Sequence, residues 1–142
     1  MSSQQSLTID ELIETFDSLG DWEAQCEYLI DLGLDLPDFP ADQRIEQNRV
    51  HGCQSNVWLI ADVRQNGQTT VEIQADSDSM IVRGLIAVLL AAYSGRKPEE
   101  ILSTDIKALF SRLGLDRHLS PQRKNGLFGM VQRVRKLAEA AA

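Results

Sequence analysis

The sequence predicts one α+β domain: a small antiparallel sheet of about three strands packed against several α-helices. Three observations carry this. Two β-branched, apolar stretches flank Asn66-Gly67, a pair that tolerates positive φ and favours a hairpin turn. On either side of them, apolar residues recur at helical spacing behind capping residues. No repeat and no Pro/Gly/Ser-rich linker divides the 142 residues, a length that suits a single core. Residues 1–142 are therefore expected to form one domain, with residues 1–6 a flexible tail.

The elements follow in order. Thr8-Ile9-Asp10-Glu11 is a helix start, with Thr8 or Ser6 as cap and acids in the first turn. Ile9, Leu12, Ile13 and Phe16 share a face, and Gly20 ends the helix. Asp21 caps a second helix whose apolar stripe includes Trp22, Cys26, Leu29 and Ile30; Cys26 is read as core. Residues 35–47 hold Pro37 and Pro40 and predict a loop over the core.

Residues 57–63 and 69–75 predict two strands. With Asn66-Gly67 as a two-residue loop, Val63 faces Thr70 and Ile60 faces Ile73. Residues 57–60 are apolar on both faces, which asks for a third strand beside them, from residues 46–50. Asp76-Ser77-Asp78-Ser79 offers capping oxygens to the next helix. That helix runs from Met80 to Tyr93, is apolar nearly all round, and should lie at the centre. Pro98-Glu99-Glu100 starts a short helix, residues 105–113 form another ended by Gly114, and Ser120-Pro121 opens the last.

Composition excludes several classes. Apolar content of 43% and charged content of 25% fit an ordinary globular protein. The longest apolar run is broken by Arg83 and is shorter than the ~20 residues that span a bilayer. The first six residues are polar, unlike a secretory signal, and two cysteines do not make a disulfide scaffold. A cytoplasmic protein is expected, with no membrane partner. The net charge is −7, split unevenly: residues 1–50 carry −10 and residues 51–142 carry +3. Such a dipolar chain can steer onto a partner. The acidic total, and few aromatics among the C-terminal bases, disfavour nucleic acid.

The chemistry centres on Cys53, in Arg49-Val50-His51-Gly52-Cys53. A loop cysteine beside glycine has backbone freedom, and a strand start is a rigid place from which to present it. His51, Arg49 and Arg44 are bases near enough in sequence to favour the thiolate if the fold brings them close. Free cysteine is also among the most buried residue types, so core filling competes with reactivity. A Cys–His hydrolase using His51 or His118 lacks a protease signature. A zinc site from Cys26, His51, Cys53 and His118 lacks ligand-pair spacing. No Gly-rich phosphate loop or marked Schiff-base lysine points to a cofactor.

Gly52-Cys53-Gln54-Ser55-Asn56-Val57-Trp58 resembles the cysteine block of the SufE family, sulfur-acceptor proteins of cysteine desulfurases. Two further blocks agree in the same order. One runs from Asp76-Ser77-Asp78-Ser79 into the apolar helix; the other is His118-Leu119-Ser120-Pro121-Gln122-Arg123-Lys124-Asn125-Gly126-Leu127. The likeness covers the chain from about Leu7 to the end. It implies a SufE/IscU-like fold and a Cys53 that carries a persulfide. The sulfur would come from a SufS-type desulfurase, which the protein stimulates, and pass to a SufB-type iron–sulfur scaffold. Pyridoxal phosphate would belong to the desulfurase, so no cofactor or metal is expected here. The resemblance also implies that Gly52, Gln54 and Ser55 shape the loop, and that Asp78 and Arg123 lie near the partner surface. An N-cap role for Asp78 and a solvated Arg123 are the plainer readings. It further implies an apolar hollow for the thiol, to which Val57, Trp58 and Leu59 could contribute walls. A non-catalytic adaptor, a CsdA-type desulfurase as partner, and a homodimer stay open.

Overall fold

The computed structural model describes residues 8–50, 55–65 and 67–141. Among these the chain forms seven helices and one two-stranded antiparallel sheet. The helices are α1 (Ile9–Leu19), α2 (Trp22–Leu34), α3 (Met80–Tyr93), α4 (Pro98–Ser103), α5 (Ile106–Arg112), α6 (Leu115–His118) and α7 (Pro121–Ala141). The strands are β1 (Val57–Gln65) and β2 (Thr69–Ser77). Residues 1–6, expected to be a tail, lie outside the described residues. No helix among the described residues is long and apolar enough to cross a membrane.

The helix starts follow local chemistry. Thr8, Asp21, Ser79 and Asp105 each accept a hydrogen bond from the backbone N–H three residues on, occupying donors that a helix start leaves free. Ser120 Oγ does the same for the N–H of Arg123 at the head of α7, at 3.2 Å. An Asp17–Arg112 pair with two hydrogen bonds, 2.9 and 2.6 Å, ties α1 to α5. The Arg112 guanidinium holds the Asp17 carboxyl below its ordinary 3.8.

Helix α3 is the centre, as its all-round apolar sequence requires. Nine of its residues are buried. It packs against α2 and β2, with α1 and α7 also touching it. The hairpin gives this core Val57, Leu59, Val71, Ile73 and Ala75. The other helices add, among others, Phe16, Leu29, Ile101, Leu127 and Met130. Each large side chain so buried contributes roughly 1.5–3 kcal/mol. Helices α2 and α3 meet backbone to backbone: a Cβ on Gly33 would fall 2.7 Å from the Gly84 nitrogen.

Two expectations about the sheet are corrected. The third strand is absent among the described residues. Residues 46–48 curl into a 3₁₀ turn, and only Arg49 bridges β1, opposite Trp58. The register also differs by one. Gln65 pairs Thr69, so the loop has three residues; Val63 faces Val71 and Ile60 faces Gln74. A one-residue slip exchanges the two faces of a strand. The observed register sets Leu59 opposite Ala75 and Ala61 opposite Ile73, gathering apolar residues on the face toward α3. Gly67, at φ 82°, supplies the left-handed residue in that loop. Cys26, expected in the core, is a half-buried free thiol on α2.

Candidate functional site

The cysteine loop has a defined stem. The Val50 N–H donates to the Val57 carbonyl at 2.8 Å, so the chain leaves the sheet and returns at one point. Gly52, Cys53 and Gln54, with His51, lie between these ends and outside the described residues; Ser55 and Asn56 are described. Asn56 prolongs the hairpin. Its N–H and its side-chain amide donate to the two Asp78 oxygens, at 3.1 and 2.9 Å, and the Asp78 N–H returns to the Asn56 carbonyl at 3.3 Å. Asp78 therefore does not cap α3; Ser79 does. Asp78 holds the strand that leaves the loop.

The segment entering the loop is held from two sides. Arg133 of α7 donates to the carbonyls of Gln47 (2.7 Å) and Arg49 (3.4 Å). Arg44 pairs with Asp76 of β2. Its guanidinium lies 5.0 Å from the Trp58 ring centroid and 5.9 Å from that of Phe39, close enough for cation–π attraction. Asp76 is 6% exposed. Its second oxygen faces Arg83 Nε at 3.2 Å and accepts the Ser77 N–H at 2.8 Å. A buried carboxylate requires such partners.

Beside Ser55 is a hollow of about 40 Å³. Val82 and Leu85 of α3 and Leu127 and Met130 of α7 form its apolar walls, and Arg123 lies at it with Ser55. None of Val57, Trp58 and Leu59 lines this hollow: Val57 and Leu59 are enclosed in the core, and Trp58 sits under Arg44. Arg123 is exposed, and its guanidinium has no ion-pair partner among the described residues. The structure thus brings Ser55 and Arg123 to one hollow and sets Asp78 just past the end of β2.

His118 stacks on Trp22, ring centroids 4.7 Å apart and planes 4° from parallel. Among the described residues no three His, Cys, Asp or Glu side chains group as metal ligands. Sequence reasoning missed Arg133 and Asn56 and did not foresee the Arg44–Asp76 contact. The order of the chain carries no signal for Arg133, which is 84 residues from the Arg49 carbonyl it binds.

Comparison with known proteins agrees with this architecture. A family model described as SufE, an Fe–S metabolism associated domain, matches residues 10–138. An uncharacterized SufE-like protein of Rhizobium etli is 41% identical over 136 residues, 95% of this chain and 92% of that one. A second, from Rhizobium meliloti, is 39% identical over 133 residues, 93% of this chain and 95% of its own. Among solved structures, the solution structure of a hypothetical protein from Thermus thermophilus superposes with a TM-score of 0.74. It covers 94% of both chains at 24% identity, and shows the same fold.

Proposed function

The chain belongs to the SufE family, a family of Fe–S metabolism, and we propose that it acts there as a sulfur carrier through Cys53. A pyridoxal-phosphate cysteine desulfurase of the SufS type supplies the sulfur as a cysteine persulfide. The Cys53 thiolate attacks the outer sulfur of that persulfide. One S–S bond breaks and one forms, and the desulfurase thiolate leaves with the bonding electron pair. Cys53 then bears the extra sulfur and passes it on by the same exchange, to a scaffold of the SufB type. No external oxidant or reductant is needed, because sulfur moves at constant overall oxidation state.

The observation that supports this best is the position of Ser55. It stands two residues after Cys53 in the sequence and lines a hollow with apolar walls and a polar side at Gln122 and Arg123, and two extended residues reach about 7 Å. A hollow walled by Val82, Leu85, Leu127 and Met130 suits a persulfide, which must be kept from stray thiols and oxidants. Arg123 at its edge offers a positive charge to a thiolate or to the docking partner. Asp78 and Arg133 fix the stem on either side of the cysteine.

The test is incubation with a desulfurase and L-cysteine, followed by mass mapping. One added sulfur on Cys53, absent in Cys53→Ala and retained in Cys26→Ser, is the expected result. Sulfur acceptance that survives Cys53→Ala overturns the reading. Full stimulation of the desulfurase by Cys53→Ser would instead identify an adaptor that works by contact alone.

A further inference from the structure

We propose that Arg44 and Asp76 are positioning residues for sulfur transfer, setting the geometry of the cysteine-loop stem from beneath. The proposal rests on the sulfur-carrier reading and adds two residues that never face the hollow.

Trp58 and Asp76 are direct cross-strand partners. Arg44 lies against both, paired to the carboxylate and stacked over the indole. Arg44 belongs to the segment that enters the loop, and Trp58 to the strand that leaves it. The other carboxylate oxygen faces Arg83, next in sequence to Val82 on the hollow wall. One enclosed carboxylate thus joins the incoming chain, the outgoing chain and the helix that bounds the hollow.

Stability alone does not account for this arrangement. The Arg44 side chain is 38% exposed, and an ion pair open to solvent on one side adds little to stability. It does fix direction, because a guanidinium presents its donors in a rigid plane, and here one carboxylate oxygen takes Arg44 while the other faces Arg83. Holding Asp76 and covering Trp58 together restricts where residues 44–50 can lie. That placement sets where Val50 meets Val57. The next cross-strand pair, Asn56 with Asp78, then aims the outgoing end. A transfer step needs the attacking sulfur aligned with the donor persulfide, and small misplacements are costly.

The experiment uses the full chain in a Cys26→Ser background, so that Cys53 is the single thiol. Arg44→Met, Arg44→Lys, Asp76→Asn and the double variant Arg44→Met/Asp76→Asn are compared. Two readouts are taken: the rate of Cys53 alkylation by iodoacetamide, and desulfurase stimulation as a function of carrier concentration. The expected result for Arg44→Met is faster alkylation and a maximal stimulation lower by about tenfold, with the half-saturating concentration unchanged. Loss of fold alone would raise that concentration instead. Arg44→Lys restores much of the maximal rate, since it keeps the charge on Asp76. The double variant should be no worse than the worse single one.

Wild-type alkylation and maximal rate in Arg44→Met overturn the proposal. So does a shift confined to the half-saturating concentration. If Asp76→Asn does not fold, Arg44→Met decides, because it leaves the Asp76–Arg83 pair in place. A parent protein that accepts no sulfur refutes the carrier reading itself. In that case the alkylation rates still tell whether Arg44 fixes the stem.

Discussion

Gly84 of α3 rests directly against the main-chain carbonyl of Leu29 in α2. A side chain on either partner face would push the two helices apart. Helix propensity favours alanine over glycine by about 1 kcal/mol, so an isolated α3 would gain from Gly84→Ala. In the folded protein the added Cβ meets backbone, which cannot rotate away. Overpacking typically costs about 1–3 kcal/mol, and a clash with backbone falls at the upper end. Gly84→Ala is therefore expected to lower stability clearly in urea or thermal unfolding. An unchanged midpoint would contradict the close approach.

Asp78→Ala removes both side-chain acceptors that hold Asn56. The site is exposed, so the loss of stability should be about 1 kcal/mol or less. The local effect should be larger than the global one. Amide hydrogen exchange at Asn56 is expected to quicken while exchange in α3 stays slow. Asp78→Asn keeps one acceptor oxygen and should give an intermediate rate. Equal protection of Asn56 in wild type and Asp78→Ala would show that Asp78 does not hold the strand.

Tyr93 is fully enclosed, and Arg135 is the polar side chain that bears on its hydroxyl, without an ordinary hydrogen-bond geometry. Burial raises its pKa above the ordinary 10.0, and the nearby Arg135 charge offsets part of that rise. The native state then keeps a proton at alkaline pH that the unfolded chain releases. Stability is unaffected below pH 10.0 and falls as the pH climbs past it. Tyr93→Phe removes this alkaline loss. It should also be neutral or stabilising near pH 7, since it deletes a buried hydroxyl without orphaning a partner. Unfolding midpoints measured on both sides of that pH decide the matter. A wild-type curve parallel to that of Tyr93→Phe would count against it.

What the sequence discloses depends on how locally each feature is determined. The caps at Thr8, Asp21 and Ser79 and the apolar run from Met80 to Tyr93 are written in adjacent residues, and each forms as its neighbours dictate. The hairpin was legible, but its register was not. Asn66-Gly67 permits a two-residue turn, whereas the match of Leu59 to Ala75 and Ala61 to Ile73 requires three. The third strand failed because apolar faces on residues 57–60 asked only for cover. A single bridge at Arg49 and the helices supply it. At the site, Ser55, Asp78 and Arg123 are named from motif resemblance alone. A hollow is implied by the resemblance, but the lining of the one beside Ser55 is not legible, since its walls come from Val82 and Leu85 on one helix and Leu127 and Met130 on another. Arg133 carries no local pattern, and Arg44 is marked in the sequence only as a base near Cys53; their partners are carbonyls and a carboxylate far along the chain.

The missing third strand has a physical cost of its own. Residues 62–65 of β1 are exposed, and their outer edge has no strand beside it among the described residues. Unpaired edges of this kind invite a neighbouring chain to add itself to the ladder. Asp62 and Arg64, paired across 3.5 Å on that edge, put charge where a second molecule would have to desolvate it. Resistance to aggregation in concentrated solution would thus rest on two surface side chains with no part in the chemistry.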